Sequence, residues 1–326
     1  MVEGYKGRIF SISSEQEFKE LAIQAFQYQA QHVEVYARFI QALGVDVHAV
    51  KEIHDIPFLP IEFFRTHRII DADYSSVMEF HSSGSTSDSR SIHHVVDPLL
   101  YERSFKHCFQ RFFGNPEEYI ILALLPSYIE RPNSSLVYMV SELIRLSAQP
   151  LAGFFSEPHA DFLGNLHAAT KTGSQILVIG VSFALLDWAT TNPISIPQVK
   201  IMETGGMKGR GKEIVRAELH DTLKRAFSVK TILSEYGMTE LLSQAYAFGN
   251  GELTCPPWMR VFFRDPLNPT QVQNNSGGIN IVDLANIHSC CFIATQDLGE
   301  FSGQGFSVSG RFDHSDARGC NLLFAQ

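Results

Sequence analysis

The sequence predicts an α/β architecture, a largely parallel sheet flanked by helices and followed by a β-rich portion. Three observations carry that reading. Between Asp97 and Phe227 helical and strand patterns alternate, as they do where helices connect parallel strands. The strand candidates there, Tyr119 to Leu125, Gln175 to Gly180 and Val199 to Met202, are mostly apolar, as strands covered on both faces are. Beyond Gly249 the texture becomes short apolar runs, Trp258 to Phe263, Gly278 to Val282 and Cys291 to Thr295, separated by Asn, Gly, Asp and Pro.

In chain order, Ser14 and Glu17 form a capping-box pattern ahead of an apolar stripe from Phe18 to Leu43, which Gly44 terminates. This predicts a long amphipathic helix with a break near Gln29. Pro57 and Pro60 enclose an aromatic connector, Pro57-Phe58-Leu59-Pro60-Ile61-Glu62-Phe63-Phe64, either a packed plug or part of a cavity wall. Strand candidates Val77 to Phe80 and Ile92 to Val96 flank a polar run from His81 to Arg90. Asp97-Pro98 is an N-cap followed by a first-turn proline. Helices are expected from Leu100 to Phe112, Ser134 to Leu146, Phe183 to Ala189 and Lys212 to Phe227. The organisation expected is a helical lead-in over residues 1–75, an α/β core over 76–250 and a β-rich subdomain over 251–326.

The chain has 326 residues, 26 Lys and Arg against 35 Asp and Glu, and a net charge of −9. That balance argues against nucleic acid or an anionic membrane as partner and favours a small anionic ligand. The N-terminus lacks an apolar targeting segment and no apolar run is long enough to span a bilayer, so a cytoplasmic protein is expected. The five cysteines, Cys108, Cys255, Cys290, Cys291 and Cys320, are odd in number and lack zinc-type spacing. Neither a disulfide framework nor a structural metal follows, and Cys290-Cys291 reads as core filling.

The stretch richest in chemistry is Leu233-Ser234-Glu235-Tyr236-Gly237-Met238-Thr239-Glu240. It reads as the end of an apolar strand from Val229 to Leu233, a turn at Tyr236-Gly237, and a helix from Thr239 to Ala245. Thr239 would then offer a hydroxyl to a phosphate at the helix N-terminus, Glu240 a carboxylate to Mg²⁺, and Tyr236 a ring to a base. The alternative is that Thr239 and Glu240 only cap the helix. The run Ser82-Ser83-Gly84-Ser85-Thr86-Ser87-Asp88-Ser89-Arg90 is either a phosphate cradle with a cation at its end or a flexible surface loop. Asp297 and Arg311, at expected strand ends, suit a ribose diol or an ordinary turn and ion pair.

The order of these pieces, a hydroxyl-rich loop, Gly205-Gly206 after a strand, Tyr-Gly-Met-Thr-Glu, Thr295-x-Asp297 and Gly310-Arg311-x-Asp313, resembles the adenylate-forming superfamily of acyl-CoA synthetases. The loop departs from that superfamily's pattern at Ser87, where a glycine is usual, and at Ser89, where a proline is. Within the superfamily the chain is most similar to LuxE-like acyl-protein synthetases. The stretches that carry this likeness are Ile56 to Phe64, Ser82 to Ser85, Glu203-Thr204-Gly205-Gly206-Met207-Lys208-Gly209, Cys255-Pro256-Pro257-Trp258 and Arg318-Gly319-Cys320.

The resemblance implies ATP-dependent activation of a carboxylic acid, in the LuxE case a fatty acid, as an acyl-adenylate. The acyl group then moves to Cys320 and on to a partner resembling an acyl reductase. By the same resemblance Thr239 would meet the AMP phosphate, Glu240 would hold Mg²⁺, and Asp297 and Arg311 would bind the ribose. Gly205 and Gly206 would edge the adenine or acyl group, with Tyr236 and Gly237 beside them. Ser82, Ser83, Gly84, Ser85, Thr86 and Arg90 would hold pyrophosphate. The chain ends six residues after Cys320, so the small mobile lysine domain of most of the superfamily is expected to be absent and a protein-bound thioester is expected over acyl-CoA. A homodimer is a further expectation. Two other readings stand beside this one: a truncated enzyme resembling aryl-acid CoA ligases, and a silent scaffold that binds a nucleotide or acyl ligand. A tunnel lined by Phe58, Phe63, Phe109 and Phe154 would favour a long acyl chain.

Overall fold

Uninterrupted apolar runs become the middle of a parallel sheet. The computed structural model describes residues 2–83, 90–126, 133–205, 215–266, 268 and 271–312. Its helices are α1 (Val2–Arg8), α2 (Glu15–His32), α3 (Glu34–Ala42), α4 (Phe63–Thr66), α5 (Pro98–Phe113), α6 (Ser135–Ser147), α7 (Ala160–Ala169), α8 (Ser182–Thr191) and α9 (Arg216–Phe227). The strands are β1 (Leu59–Pro60), β2 (Met78–His81), β3 (Ile92–Val95), β4 (Tyr119–Leu124), β5 (Gly153–Phe155), β6 (Gln175–Val181), β7 (Val199–Thr204), β8 (Leu233–Tyr236), β9 (Ala245–Ala247), β10 (Met259–Arg264), β11 (Val272–Gln273), β12 (Ser276–Asp283), β13 (Phe292–Ser302) and β14 (Gly305–Arg311).

Strands β5, β4, β6, β7 and β8 lie side by side and run parallel, and β9 closes that sheet antiparallel to β8. Every residue of β4 is buried, which explains why its sequence shows no alternation. A second sheet has the order β1-β13-β12-β10-β11, with β14 also paired to β13. Its β10, β12, β13 and β14 pairings are antiparallel, while β1 joins β13 in parallel. Strands β2 and β3 pair antiparallel, so the hydroxyl-rich run links the two arms of a hairpin. The α/β class and the β-rich C-terminal portion agree with the sequence.

The capping signals work as expected. The Ser14 hydroxyl accepts from the Glu17 N–H at 3.2 Å, Asp97 caps α5 through the Leu100 N–H at 3.1 Å, and Ser134 caps α6. The Glu17 carboxylate also accepts from the Ser13 N–H at 2.8 Å. The lead-in helix breaks at Val33, which is extended between α2 and α3. Gln29, one turn earlier, is fully buried, and its amide donates to the carbonyls of Asn286 at 2.9 Å and Ile287 at 3.0 Å and accepts from the Cys291 N–H at 3.0 Å. One side chain thus docks the lead-in helices on the connection into β13.

Two expectations fail. The strand expected from Val229 to Leu233 is instead β8, which begins at Leu233. More important, no helix forms from Thr239 to Ala245: the chain turns through residues 237–244 and enters β9. Its backbone groups bond instead to side chains from other elements. The Leu242 N–H donates to Asp283 at 2.7 Å, the Thr239 carbonyl faces His93 Nδ1 at 2.8 Å, and the Glu240 carbonyl accepts from Asn286 at 2.7 Å. Leu241 and Leu242 are buried by this packing, so their apolar spacing was a core signal and not a helical one.

Gln29→Ala should strand several buried backbone groups at once. A loss of about 3 kcal/mol is expected, read as a lower unfolding midpoint in urea, whereas an exposed change such as Gln16→Ala should leave the midpoint nearly unchanged.

Candidate active site at the junction of the two sheets

The C-terminal end of β8, alongside that of β7, meets the β13–β14 hairpin through Tyr236, and the candidate residues gather there. Thr204 pairs in register with Glu235, and Glu203 with Ser234, so successive side chains go to opposite faces of the parallel sheet. On one face Glu203 is buried against Arg216 Nε at 3.1 Å and His220 Nε2 at 3.5 Å. Despite burial, the His220 and Arg216 contacts hold its carboxyl below the usual range. The Ser182 hydroxyl lies 2.6 Å from the Gly205 carbonyl and 3.2 Å from Glu203. Gly205 takes φ +65°, a left-handed turn that glycine adopts without strain. The strand end and its glycine turn are thereby tied to α8 and α9.

On the other face Glu235 is buried and its carboxylate accepts from the Thr204 hydroxyl. Burial pushes its carboxyl up to about 7; the Thr204 bond works against that shift and the neighbouring Glu203 charge adds to it. A Cβ on Gly237 would sit 2.5 Å from Glu235 Oε1, so the turn after β8 admits this carboxyl because residue 237 is glycine.

Tyr236 ties the two sheets together. Its hydroxyl donates to Asp297 Oδ2 at 2.7 Å, and Arg311 Nε donates to Asp297 Oδ1 at 2.9 Å. Asp297 and Arg311 are register partners across β13 and β14, so the sheet ladder fixes their meeting. Asp297 lies inside β13 and is buried, while the Arg311 side chain is 79% exposed. The Tyr236 ring is itself buried, edge-on to Phe306 at 5.5 Å, and burial first, then the Asp297 charge, drives its hydroxyl well above the ordinary range. It serves the site as a neutral donor to Asp297 more readily than as an open platform for a base. Behind it the Arg264 guanidinium, buried, bonds the Ile279 and Thr295 carbonyls and the Asn280 side chain. A Cβ on Gly278 would approach its Cζ to 2.8 Å, so glycine there makes room for the clamp.

Glu240 completes the arrangement. It is buried, and burial raises its carboxyl pKa, opposed by a bond from the Ser91 hydroxyl and by the charges of Arg65 and Arg311. Ser91 also closes the neck of the hydroxyl-rich loop: its N–H donates to the Ser82 hydroxyl at 3.0 Å and its carbonyl accepts from the Ser82 N–H at 3.0 Å. The base of that loop, Glu240 and the half-buried Thr239 thus form one connected group.

Among the expected site residues the structure brings together Ser82, Thr239, Glu240, Tyr236, Asp297 and Arg311, with Gly205 and Gly237 exposed at the ends of β7 and β8. Ser83 and Arg90 lie at the loop's two ends. Gly84, Ser85, Thr86, Gly206 and Cys320 lie outside the described residues. The helix N-terminus that was to present Thr239 to a phosphate does not exist. The four phenylalanines proposed to line one tunnel do not meet: Phe58 packs on Phe262 and Phe292, Phe63 on Phe39 and His67, Phe109 on Phe113 and Tyr119, and Phe154 belongs to the edge strand β5. His32, Asp71 and Asp73 bring ligand atoms within 4.8 Å of one another, but Asp71 is already held by Tyr28 and His288, and Asp73 by His32 at 2.8 Å. Those groups satisfy each other.

Glu235, Ser91, Asn286 and Arg264 were not assigned roles from sequence. Glu203 and Glu235 had a visible signal, a carboxylate at the end of an apolar strand immediately before a glycine turn. Asn286 and Arg264 had none, because their partners lie on other elements of the fold.

The family model for the acyl-protein synthetase LuxE matches residues 6–326. The chain belongs to this family. No curated protein matches the sequence. Similar solved structures include apo MatB from Rhodopseudomonas palustris, at 14% identity over 72% of this chain and 47% of that one with a TM-score of 0.49. O-succinylbenzoate coenzyme A synthetase from Bacillus subtilis shares 14% identity over 75% of this chain and 50% of its own, with a TM-score of 0.48. A benzoate CoA ligase from Burkholderia xenovorans shares 14% over 83% of this chain and 53% of its own, also at 0.48. The LuxE-family chain spans about half the length of these structures. Among its described residues no helix is long and apolar enough to cross a membrane.

The buried Glu235 carboxyl gives a pH signature. Its folded pKa lies above the unfolded value, so its contribution is fully present below about pH 4.5 and is lost as pH rises through about 7. Glu235→Gln keeps an acceptor for Thr204 and cannot ionise. Its stability relative to wild type should therefore grow by about 2–3 kcal/mol between pH 5 and pH 8, measured by unfolding at each pH.

Proposed function

We propose that this LuxE-family protein uses ATP to activate a carboxylic acid, of the fatty class, as an acyl-adenylate and loads it onto Cys320 for transfer to a partner protein. In the first step a carboxylate oxygen of the acid bonds to the α-phosphorus and the bond to the β-phosphate oxygen breaks, releasing pyrophosphate. In the second the Cys320 thiolate attacks the acyl carbon, a C–S bond forms, and AMP leaves with the electron pair of the broken C–O bond. A nucleophile on the partner then takes the acyl group and frees the thiol.

The observation that carries the reading is Glu240, a buried carboxylate between the neck of a hydroxyl-rich loop and the Asp297–Arg311 pair. Its donor set fits Mg²⁺: a hard oxygen ligand, with no direct ion-pair partner among the described residues, beside a loop suited to phosphate oxygens. Bound there, Mg²⁺ would neutralise charge on the phosphates. The protein's own residues would orient the nucleotide. The Thr239 hydroxyl would donate to the α-phosphate, and Asp297, steadied by Tyr236 and Arg311, would accept from a ribose hydroxyl through a lone pair its two partners leave open. Arg311, largely exposed, adds a cation at the rim.

Cys320 as acceptor gains support from the other thiols. Cys108, Cys290 and Cys291 are buried, and burial raises all three, Cys290 to about 12; Cys255 is likewise pushed up to about 12. Thiols held in that state make poor nucleophiles near neutral pH.

Exchange of labelled pyrophosphate into ATP, run across fatty and aryl acids with wild type and Cys320→Ser, tests both steps. Exchange by both proteins, with an acyl adduct in the intact mass of wild type only, is expected; an adduct on both would remove Cys320 as acceptor. Glu240→Gln should retain ATP binding while exchange falls by roughly two orders of magnitude or more, and unchanged exchange would take Glu240 out of the chemistry.

A further inference from the structure

Residues 237–244 carry Thr239 and Glu240 without a helical ladder to hold them. Their carbonyls are held instead by two side chains from different parts of the chain. His93, on β3, faces the Thr239 carbonyl through Nδ1 at 2.8 Å, and Asn286 donates to the Glu240 carbonyl at 2.7 Å. Both side chains are buried. The Phe64 ring stands edge-on to the imidazole at 5.9 Å and 83°, and Asn286 reaches His93 as well. Ser91, the residue before β3, and His93, on the strand, lie two apart in the chain. The first bonds the Glu240 carboxylate and the second the neighbouring carbonyl. Strand β3 itself emerges from the hydroxyl-rich loop.

We infer that His93 and Asn286 are positioning residues, which set the backbone of Thr239 and Glu240 so that hydroxyl and carboxylate stand ready for a Mg²⁺-bound nucleotide. The inference rests on the reading of Thr239 and Glu240 given above. Since a carbonyl only accepts, His93 Nδ1 carries a proton, and Asn286 presents its amide nitrogen. Burial, against the bonds to Thr239 and Asn286, pushes the imidazole down to about 4, so at neutral pH it is an uncharged donor. With either hold removed, the Glu240 carboxylate samples more positions and meets the cation less often, while ATP's contacts elsewhere persist.

The test uses the full chain and titration calorimetry of ATP binding at graded Mg²⁺, with unfolding midpoints measured in parallel. His93→Ala should raise the Mg²⁺ concentration that gives half-maximal enhancement of ATP binding roughly tenfold, about the worth of one buried hydrogen bond, and leave metal-free ATP affinity within twofold. His93→Gln, which keeps a donor, should recover most of the shift. His94→Gln, on the opposite face of β3, should show none. Asn286→Ser, too short to reach the Glu240 carbonyl, should repeat the effect of His93→Ala and carries the test if the alanine variant does not fold. An unchanged Mg²⁺ requirement in a folded His93→Ala or Asn286→Ser protein overturns the inference alone. Wild type without Mg²⁺-enhanced ATP binding overturns the nucleotide reading, and the inference with it.

Discussion

The buried carboxylate of Asp283, at the end of β12, is the constraint on which the rest of the site depends. It accepts from the Leu242 N–H at 2.7 Å, the Ser243 hydroxyl at 2.6 Å and the Ala285 N–H at 3.2 Å. Burial still outweighs these bonds and pushes the carboxyl up to about 6. Ser243 also meets Ser104 on α5 and the indole of Trp258, the residue before β10, at 3.1 and 3.0 Å. A segment between two parts of the parallel sheet is therefore nailed to the second sheet and to a helix at one point. Such a network is costly to leave half-made, so it forms as a unit or not at all.

With that point fixed, the two sheets can share a site. Tyr236 closes the distance on one side by bonding Asp297, and Asn286 and His93 hold the other by the carbonyls of residues 239 and 240. Each of these bonds joins groups more than sixty residues apart, except Asn286 to Glu240, which spans 46. The site is consequently a product of tertiary packing. Glu203 and Glu235 show the cost: two carboxyls on adjacent strands, one kept ionised by Arg216 and His220 and the other pushed towards neutrality by burial. Their opposite fates follow from the faces their strands give them.

Much of the fold was legible because it rests on local rules. The Ser14, Asp97 and Ser134 caps, the apolar strands from Tyr119 onward and the change of texture after Gly249 each report a property that a few neighbouring residues determine. For Asp297 and Arg311 the sequence left a ribose contact and an ordinary ion pair both open; their direct pairing follows from strand register, which the sequence does not display. Residues 239–245 misled because apolar spacing over two turns fits a helix and a tightly anchored loop alike, and the choice lay with Asp283, His93 and Asn286, whose side chains claim the backbone from afar. The family's order of motifs survived this error, since it depends on which residues occur and not on the local geometry that carries them.

Arg311 closes β14 at the rim of the site, and Cys320 lies nine positions further along the chain. Whatever path the chain takes between them, covalent geometry limits the span to ~30 Å. A thiol leashed to the rim at that radius is present at an effective concentration on the order of ten millimolar. On the proposed reading, an acyl-adenylate formed at this site would meet the tethered thiol far more often than a micromolar thiol arriving from solution, because the tether begins where β14 ends.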